Sequence, residues 1–137
     1  MNDDNICEED HPEMTGEQNV YRAARSASWL NLEAGKLEPT AYKLNLDKQE
    51  KALSVGPADH CTAEQYSDPA ICGLKVHGIA LHKVADIGNL SLVVKQDEPF
   101  HAGICGLPDT EGAQQQAHII AVELSRQSTL VWTRPKK

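Results

Sequence analysis

Histidine and cysteine are the side chains of this chain whose types and spacing could support chemistry. His60 and Cys61 form an adjacent His–Cys pair, and together with Cys72 they are the candidate metal ligands. The residues that could complete such a shell are His77, His101 and Cys105. Metal sites usually contain a tight pair of ligands on a turn, and the sequence has none with standard spacing. We therefore predict that the protein holds no metal.

Two of these residues could also take part in catalysis. His101, beside a glycine-containing strand, could act as a general base, although a histidine held in place by a hydrogen bond fits the same position. Cys61 as a nucleophile would need a base at hydrogen-bond distance, and neighbours in sequence rarely face each other in an extended strand. The four cysteines include no C-x-x-C pair, so the standard zinc-ribbon and thioredoxin-type signatures are absent. Disulfides would require export, for which we see no signal, so we expect a reducing cytoplasm, free thiols and no disulfide.

The chain lacks the short motifs that mark common catalytic and cofactor sites. It contains no G-x-G-x-x-G, P-loop, H-E-x-x-H, EF-hand or G-x-S-x-G sequence. We therefore predict no bound cofactor.

The net charge of −7 comes from one end of the 137 residues. The first 18 residues carry seven Asp and Glu and no Lys or Arg, whereas the other 13 acidic residues are balanced by 13 Lys and Arg. Residues 1–18 have too few apolar side chains to offset the entropy lost on ordering, so we predict a disordered acidic arm. Residues 19–137 are predicted to form a single globular domain.

Charge and hydropathy also restrict the partners. A negative balance argues against nucleic acid, and another protein is the partner that we expect. No apolar run approaches the about 20 residues of a membrane span, and the acidic N-terminus resembles neither a secretory signal nor a transit peptide. We therefore expect a cytoplasmic protein with no membrane contact, and the oligomeric state stays open.

Apolar periodicity predicts an α+β fold. The strongest helix is 111–127, with Ile120 and Leu124 as the large residues of its apolar stripe, and shorter helical segments are predicted at 62–66 and 81–87. The predicted strands are 20–25, 40–46, 52–55, 73–80, 90–95, 101–106 and 129–133. We expect a curved, mostly antiparallel sheet of about six short strands, one long C-terminal helix and one or two short helices. The strand–helix–strand order of 101–133 would allow one parallel pair.

Four short motifs occur in order along the chain. They are YR at 21–22, KLxPxAY at 36–42, LSV at 53–55 and HAxIxGLP at 101–108. In this order the chain resembles small uncharacterised bacterial proteins of unknown function. The resemblance implies a bacterial, cytoplasmic single domain and brings no mechanism.

An arginine near the end of the first strand, a later strand serine and a small curved sheet also resemble ADP-ribosyltransferase-like toxin domains. In such folds the arginine holds the dinucleotide phosphates, because a guanidinium pairs with them bidentately. The resemblance implies that Arg22 and Ser54 would occupy these places, with Asp97, Glu98 or Glu111 as the late acidic residue. The alternative is that Arg22 is a surface arginine and Ser54 an ordinary strand serine.

The leading hypothesis is a non-enzymatic binding or accessory protein of a bacterial multi-protein assembly. The alternative is a small nucleotide-handling enzyme resembling the ADP-ribosyltransferase-like domains. A cleft that holds Arg22, Ser54 and one carboxylate would favour the enzyme. An apolar patch without such a cleft would favour the binding protein.

Overall fold

A computed structural model of the chain describes residues 6–46, 50–59, 61–72, 75–108 and 110–135. Its strands are β1 (Asn19–Ala24), β2 (Leu30–Asn31), β3 (Lys36–Leu37), β4 (Leu53–Pro57), β5 (Gly78–Lys83), β6 (Val93–Glu98), β7 (His101–Cys105) and β8 (Thr129–Thr133). Six of them form one sheet in the order β6-β7-β4-β1-β5-β8, and β2 pairs with β3. Neighbouring strands of the large sheet are antiparallel throughout.

The helices are α1 (Ala63–Tyr66), α2 (Pro69–Cys72), α3 (Val84–Gly88) and α4 (Gln114–Gln127), with 3-10 turns at Ala27–Trp29, Pro39–Tyr42 and Glu111–Ala113. The long C-terminal helix is thus confirmed, as is the predicted α+β class with a mostly antiparallel sheet. α1 is the helical turn predicted at 62–66. It begins with a capping box, in which Thr62 and Gln65 each accept a hydrogen bond from the other's main-chain N–H.

One face of the sheet, the inner face, contributes to the main core together with α4 and the 3-10 turn Pro39–Tyr42. Alternate residues of β4 and β7 point into this core, because side chains alternate between the two faces of a strand. The buried strand residues at this point are Leu53, Val55, Ala102 and Ile104. Leu124 of α4 is fully buried among them, as the helical stripe predicts, whereas Ile120 is only half-buried.

The opposite face, the outer face, is covered in two places. Near α1 and α2, a cluster of Tyr21, Tyr66, Val76 and Ile79 packs over β1 and β5. Near the other end of the sheet, Ile6, Ala52 and Cys105 form a smaller cluster over β4 and β7.

Some local predictions were wrong. The predicted strand 40–46 begins instead as the 3-10 turn Pro39–Tyr42, because proline suits the first position of a helix and Tyr42 turns into the core. The parallel pair allowed for 101–133 does not form. β8 pairs with β5 at the far side of the sheet from β7, in an antiparallel direction. The predicted strands 73–80 and 90–95 are shifted to β5 and β6.

The acidic N-terminal segment differs from the unpacked arm that the sequence suggests. Met14 donates a main-chain hydrogen bond to Val94 and Gln96 donates one to Pro12, so residues 12–14 cover the edge of β6. Ile6 is only 2% exposed. Ile6 and Met14 are both buried, and their apolar contacts help to order a segment that its many acidic residues led us to expect to be disordered. Residues 1–5 lie outside the described part of the chain.

The expectation of free thiols is also corrected for two cysteines. Cys7 and Cys105, which are 98 residues apart, form a disulfide that joins the N-terminal segment to β7. The expectation depended on an assumed reducing compartment, whereas the pairing follows from the proximity of the two cysteines in the fold. Cys61 carries a free thiol.

Candidate functional site

Three side chains on the outer face form one hydrogen-bonded chain. Asp97 Oδ1 lies 2.6 Å from His101 Nδ1, and His101 Nε2 lies 3.1 Å from Ser54 Oγ. This carboxylate–imidazole–hydroxyl order is the order of groups in a Ser–His–Asp catalytic triad, which is recognised by geometry and not by sequence position. Ser54 and His101 were both candidates from the sequence, and the fold brings their side chains together.

The β6–β7 hairpin positions the acid and the base. β6 ends at Glu98 and β7 begins at His101, so a two-residue connection joins them as antiparallel neighbours. The register shifts between Gln96 and Glu98, which leaves Asp97 as the extra residue of a bulge. Bulges re-aim the side chain of the extra residue, and here the carboxylate of Asp97 is directed at the imidazole of His101.

The pairing of β4 with β7 positions the hydroxyl. Ser54 pairs with Gly103 and Val55 with Ala102. Because Val55 and Ala102 point into the inner core, Ser54 and His101 share the outer face. The hydroxyl and the imidazole are therefore diagonal neighbours on adjacent strands, which lies within reach of such side chains.

Apolar side chains cover the outer face on both sides of Ser54. Ile6 packs on Ala52 and over Gly103, and the ring of Tyr66 lies against Gly56. Ala52 and Gly56 are the residues two before and two after Ser54, so they lie on its face of β4. Ser54 itself is half-buried, and the side chains of His101 and Asp97 are 18% and 9% exposed. The side chain of Ser54 therefore lies on the outer face between the residue that Ile6 contacts, Ala52, and the residue that Tyr66 contacts, Gly56.

Arg22 approaches Ser54 from the inner face and contacts only its main chain. The guanidinium donates from Nη1 to the carbonyl oxygen of Ser54 at 2.8 Å, and from Nε and Nη2 to that of Ala41 at 2.9 and 2.7 Å. It also lies 5.5 Å from the centre of the Trp29 ring. Arg22 is buried, and this burial lowers the pKa of its guanidinium. These hydrogen bonds use the donors that would otherwise hold a phosphate.

The candidate acids from the ADP-ribosyltransferase resemblance have separate locations. Asp97 belongs to the hydrogen-bonded chain, whereas Glu98 is exposed at the end of β6. Glu111 lies in the 3-10 turn before α4, and its side chain is not among those described. The contact between Asp97 and His101 could have been predicted from the sequence. A short turn between two strands brings the residues on either side of it, here 97 and 101, to one place.

The candidate metal ligands are only partly described. Cys61 is half-buried, its carbonyl oxygen accepts a hydrogen bond from the Tyr21 hydroxyl, and burial raises the pKa of its thiol. His60 lies outside the described residues, and so does the side chain of Cys72. Among the residues that the structure does describe, no group of three or more His, Cys, Asp or Glu could hold a metal ion.

A buried polar pair in the core was missed by the sequence analysis. The hydroxyl of Tyr42 lies 2.6 Å from His82 Nε2, and the two rings meet edge to face. Burial is the main cause that raises the pKa of Tyr42 and lowers the pKa of His82 to about 4. His82 is therefore neutral at pH 7. Its Nδ1 atom has no hydrogen-bond partner within the described part of the chain.

A groove of about 530 Å³ lies at the end of edge strand β8, away from the hydrogen-bonded chain. Its lining is Ala27, Leu30, Leu32, His77 and the C-terminal stretch 133–135. Leu32 is 65% exposed and Val131 of β8 is 44% exposed. Arg134 is the charged residue of this lining, and its Nε donates to the carbonyl oxygen of Val76 at 2.7 Å.

No protein-family model matches this chain, and neither curated proteins nor solved structures gave a match. The two resemblances given above therefore stay predictions. Of the helices in the described ranges, none has the length and apolarity needed to cross a bilayer.

Proposed function

We propose that this protein is an accessory subunit of a bacterial multi-protein assembly and that it binds its partner at strand β8. The observation that carries the proposal is the apolar groove at the end of this edge strand, with Leu32 exposed at its wall. An exposed apolar surface of this kind is typical of a docking site. The sequence also suggested that the protein is not an enzyme. We do not propose this, because the side chains of Ser54, His101 and Asp97 form a hydrogen-bonded chain that could support catalysis.

The partner is expected to supply an extended segment. β8 has β5 as its neighbour in the sheet. On its other side Leu130 donates a main-chain hydrogen bond to Gly35, so the chain itself covers the beginning of this edge, and the partner segment would pair beyond it at residues 131–133. An edge strand readily pairs with another extended chain. At the opposite edge of the sheet, the chain's own residues 12–14 already cover β6 in this manner.

The groove indicates which side chains that segment should carry. Its aliphatic wall, formed mainly by Leu30 and Leu32, fits one large apolar side chain. Arg134 in the same lining would attract an acidic group beside it. An extended peptide with an aliphatic or aromatic residue next to Asp or Glu is therefore the proposed ligand class.

The nucleotide-handling alternative has less support. Its phosphate ligand would be Arg22, which is buried and donates to two main-chain carbonyl oxygens. The cytoplasmic location expected from the sequence remains a proposal. The Cys7–Cys105 disulfide argues against it, since disulfides persist mainly in oxidising compartments.

A displayed library of random peptides tests the docking site. The selected peptides should share an apolar residue followed or preceded by an acidic one. Leu32→Asp should weaken their binding by about 10-fold or more, because a buried leucine side chain contributes about 1.5–3 kcal/mol. Ile119→Asp is the matched control, since Ile119 is 58% exposed on α4 and lies outside the groove. Equal effects of the two variants, or no enriched peptide, would contradict the proposal.

A further inference from the structure

We propose that Ser54, His101 and Asp97 form a catalytic triad that hydrolyses small carboxylic esters. This activity goes beyond partner binding and does not depend on it, since the three residues lie on the outer face over β4 and β7 and the groove lies at the end of β8. Ser54 is the nucleophile, His101 is the general base and acid, and Asp97 is the positioning residue.

The hydrogen bonds select the tautomer that this role requires. An ionised carboxylate only accepts hydrogen bonds, so His101 donates from Nδ1 to Asp97 at 2.6 Å. The unprotonated Nε2 then faces Ser54 Oγ at 3.1 Å and accepts the hydroxyl proton. The distance between nucleophile and base lies within the range over which a positioned base removes a proton.

The carboxylate is well shielded from solvent, and this strengthens its action on the imidazole. The side chain of Asp97 is only 9% exposed, and the bulge in β6 holds it against His101. A shielded carboxylate stabilises the imidazolium that forms during the reaction more strongly than an exposed one would. Asp97 contacts no substrate in this scheme.

The surroundings of Ser54 define the class of substrate. Ile6 over Gly103 and Tyr66 against Gly56 lie on the two sides of the hydroxyl. Apolar neighbours on both sides of the hydroxyl favour a short apolar acyl group. Acetyl and propionyl esters are therefore the proposed substrates.

The proposed reaction proceeds in two balanced steps. Ser54 Oγ attacks the ester carbonyl carbon while its proton moves to His101 Nε2, the carbon–oxygen bond to the alcohol breaks, and the alcohol leaves with the proton from Nε2. Water then attacks the acyl group on Ser54 and transfers a proton to Nε2. That proton returns to Ser54 Oγ as the carboxylic acid leaves. The net reaction converts ester and water into acid and alcohol.

Labelling with a small fluorophosphonate tests the nucleophile in the unmodified protein. Intact mass should show one label per chain, and peptide mapping should place it on Ser54. The labelling rate should fall by about 100-fold or more in His101→Gln and in Asp97→Asn, which lose the base and its carboxylate. Ser67→Ala is the matched control and should react like the wild type, because the Ser67 hydroxyl donates to the carbonyl oxygen of Glu64 and contacts no histidine among the residues that the structure describes.

A pH profile separates the positioning role of Asp97 from a structural one. In the wild type the labelling rate should fall on acidification as His101 takes up a proton. In Asp97→Asn this fall should move to lower pH, because the protonated imidazole has lost its counter-charge. A slower variant with an unshifted profile would contradict the assigned role.

Release of p-nitrophenolate from p-nitrophenyl acetate is the second readout. It should be lost in Ser54→Ala, with thermal melting to confirm that the variant is folded. The mapping of the wild-type label needs no variant and decides the question if Ser54→Ala fails to fold. A label on another residue, no label, or unchanged labelling in folded His101→Gln would overturn the proposal.

Discussion

Acidification should destabilise this protein through His82, whose ring is neutral in the folded state. Burial, and then the positive charges of Arg22 and Lys36, lower the pKa of His82 from 6.5 to about 4. Between these values the unfolded chain binds a proton that the folded protein excludes. The contribution of His82 to stability is therefore complete above about pH 6.5 and is lost as the pH falls towards about 4. At about 1.4 kcal/mol per pKa unit, the loss amounts to about 3 kcal/mol.

Comparison with His82→Gln isolates this effect from carboxylates that titrate in the same range. The amide of glutamine can still accept a hydrogen bond from Tyr42 but does not titrate between these pH values. Urea unfolding at about pH 7 and about pH 4 gives the free energy of unfolding of each protein. On acidification, the free energy of unfolding of the wild type should fall by about 3 kcal/mol more than that of the variant. An equal loss in both proteins would refute the assignment of a buried, neutral His82.

Three further predictions concern stability. Leu124→Ala should lower the free energy of unfolding, measured in urea, by about 2–5 kcal/mol, because removing a fully buried leucine side chain leaves a cavity. Gln115→Ala, on the exposed face of α4, should change the same free energy by less than about 0.5 kcal/mol. Cys7→Ser should lower the free energy of unfolding by about 4–5 kcal/mol under non-reducing conditions, because it removes a cross-link between residues 98 apart in sequence. An unchanged denaturation midpoint would contradict the disulfide. Gly56→Ala should lower the melting temperature, because its Cβ would overlap the Tyr66 ring, whereas Gly88→Ala meets nothing nearby and should not.

Periodicity predicted the parts of the fold in which one local pattern decides the structure. The helix at 111–127 has a single apolar stripe, and Leu124 is buried as that stripe requires. Residues 40–46 alternate just as clearly, yet they do not form a strand. Pro39 starts a 3-10 turn there, and Tyr42 is held in the core by its contact with His82. That contact joins residues 40 apart in sequence, so a local pattern contains no information about it.

The candidate site was predictable in its members but not in its arrangement. His101 was a candidate general base because of its residue type and its place beside a glycine-containing strand, and Ser54 was a candidate through the ADP-ribosyltransferase resemblance. Their contact depends on the register that pairs Ser54 with Gly103. The choice of Asp97 over Glu98 depends on a one-residue bulge. Register and bulges are set by tertiary packing, and a shift by one residue would move these side chains to the other face.

Arg22 has a structural explanation that differs from phosphate binding. β1 pairs with β4 at Val20↔Pro57 and Tyr21↔Gly56, and Ser54 lies beyond this pairing. The guanidinium of Arg22 donates to the carbonyl oxygen of Ser54, at the position where the neighbouring strand would otherwise supply an N–H. A buried carbonyl without a partner would cost about 1–3 kcal/mol. Arg22 thus holds the main chain of Ser54 from the inner face, while His101 contacts its hydroxyl from the outer face.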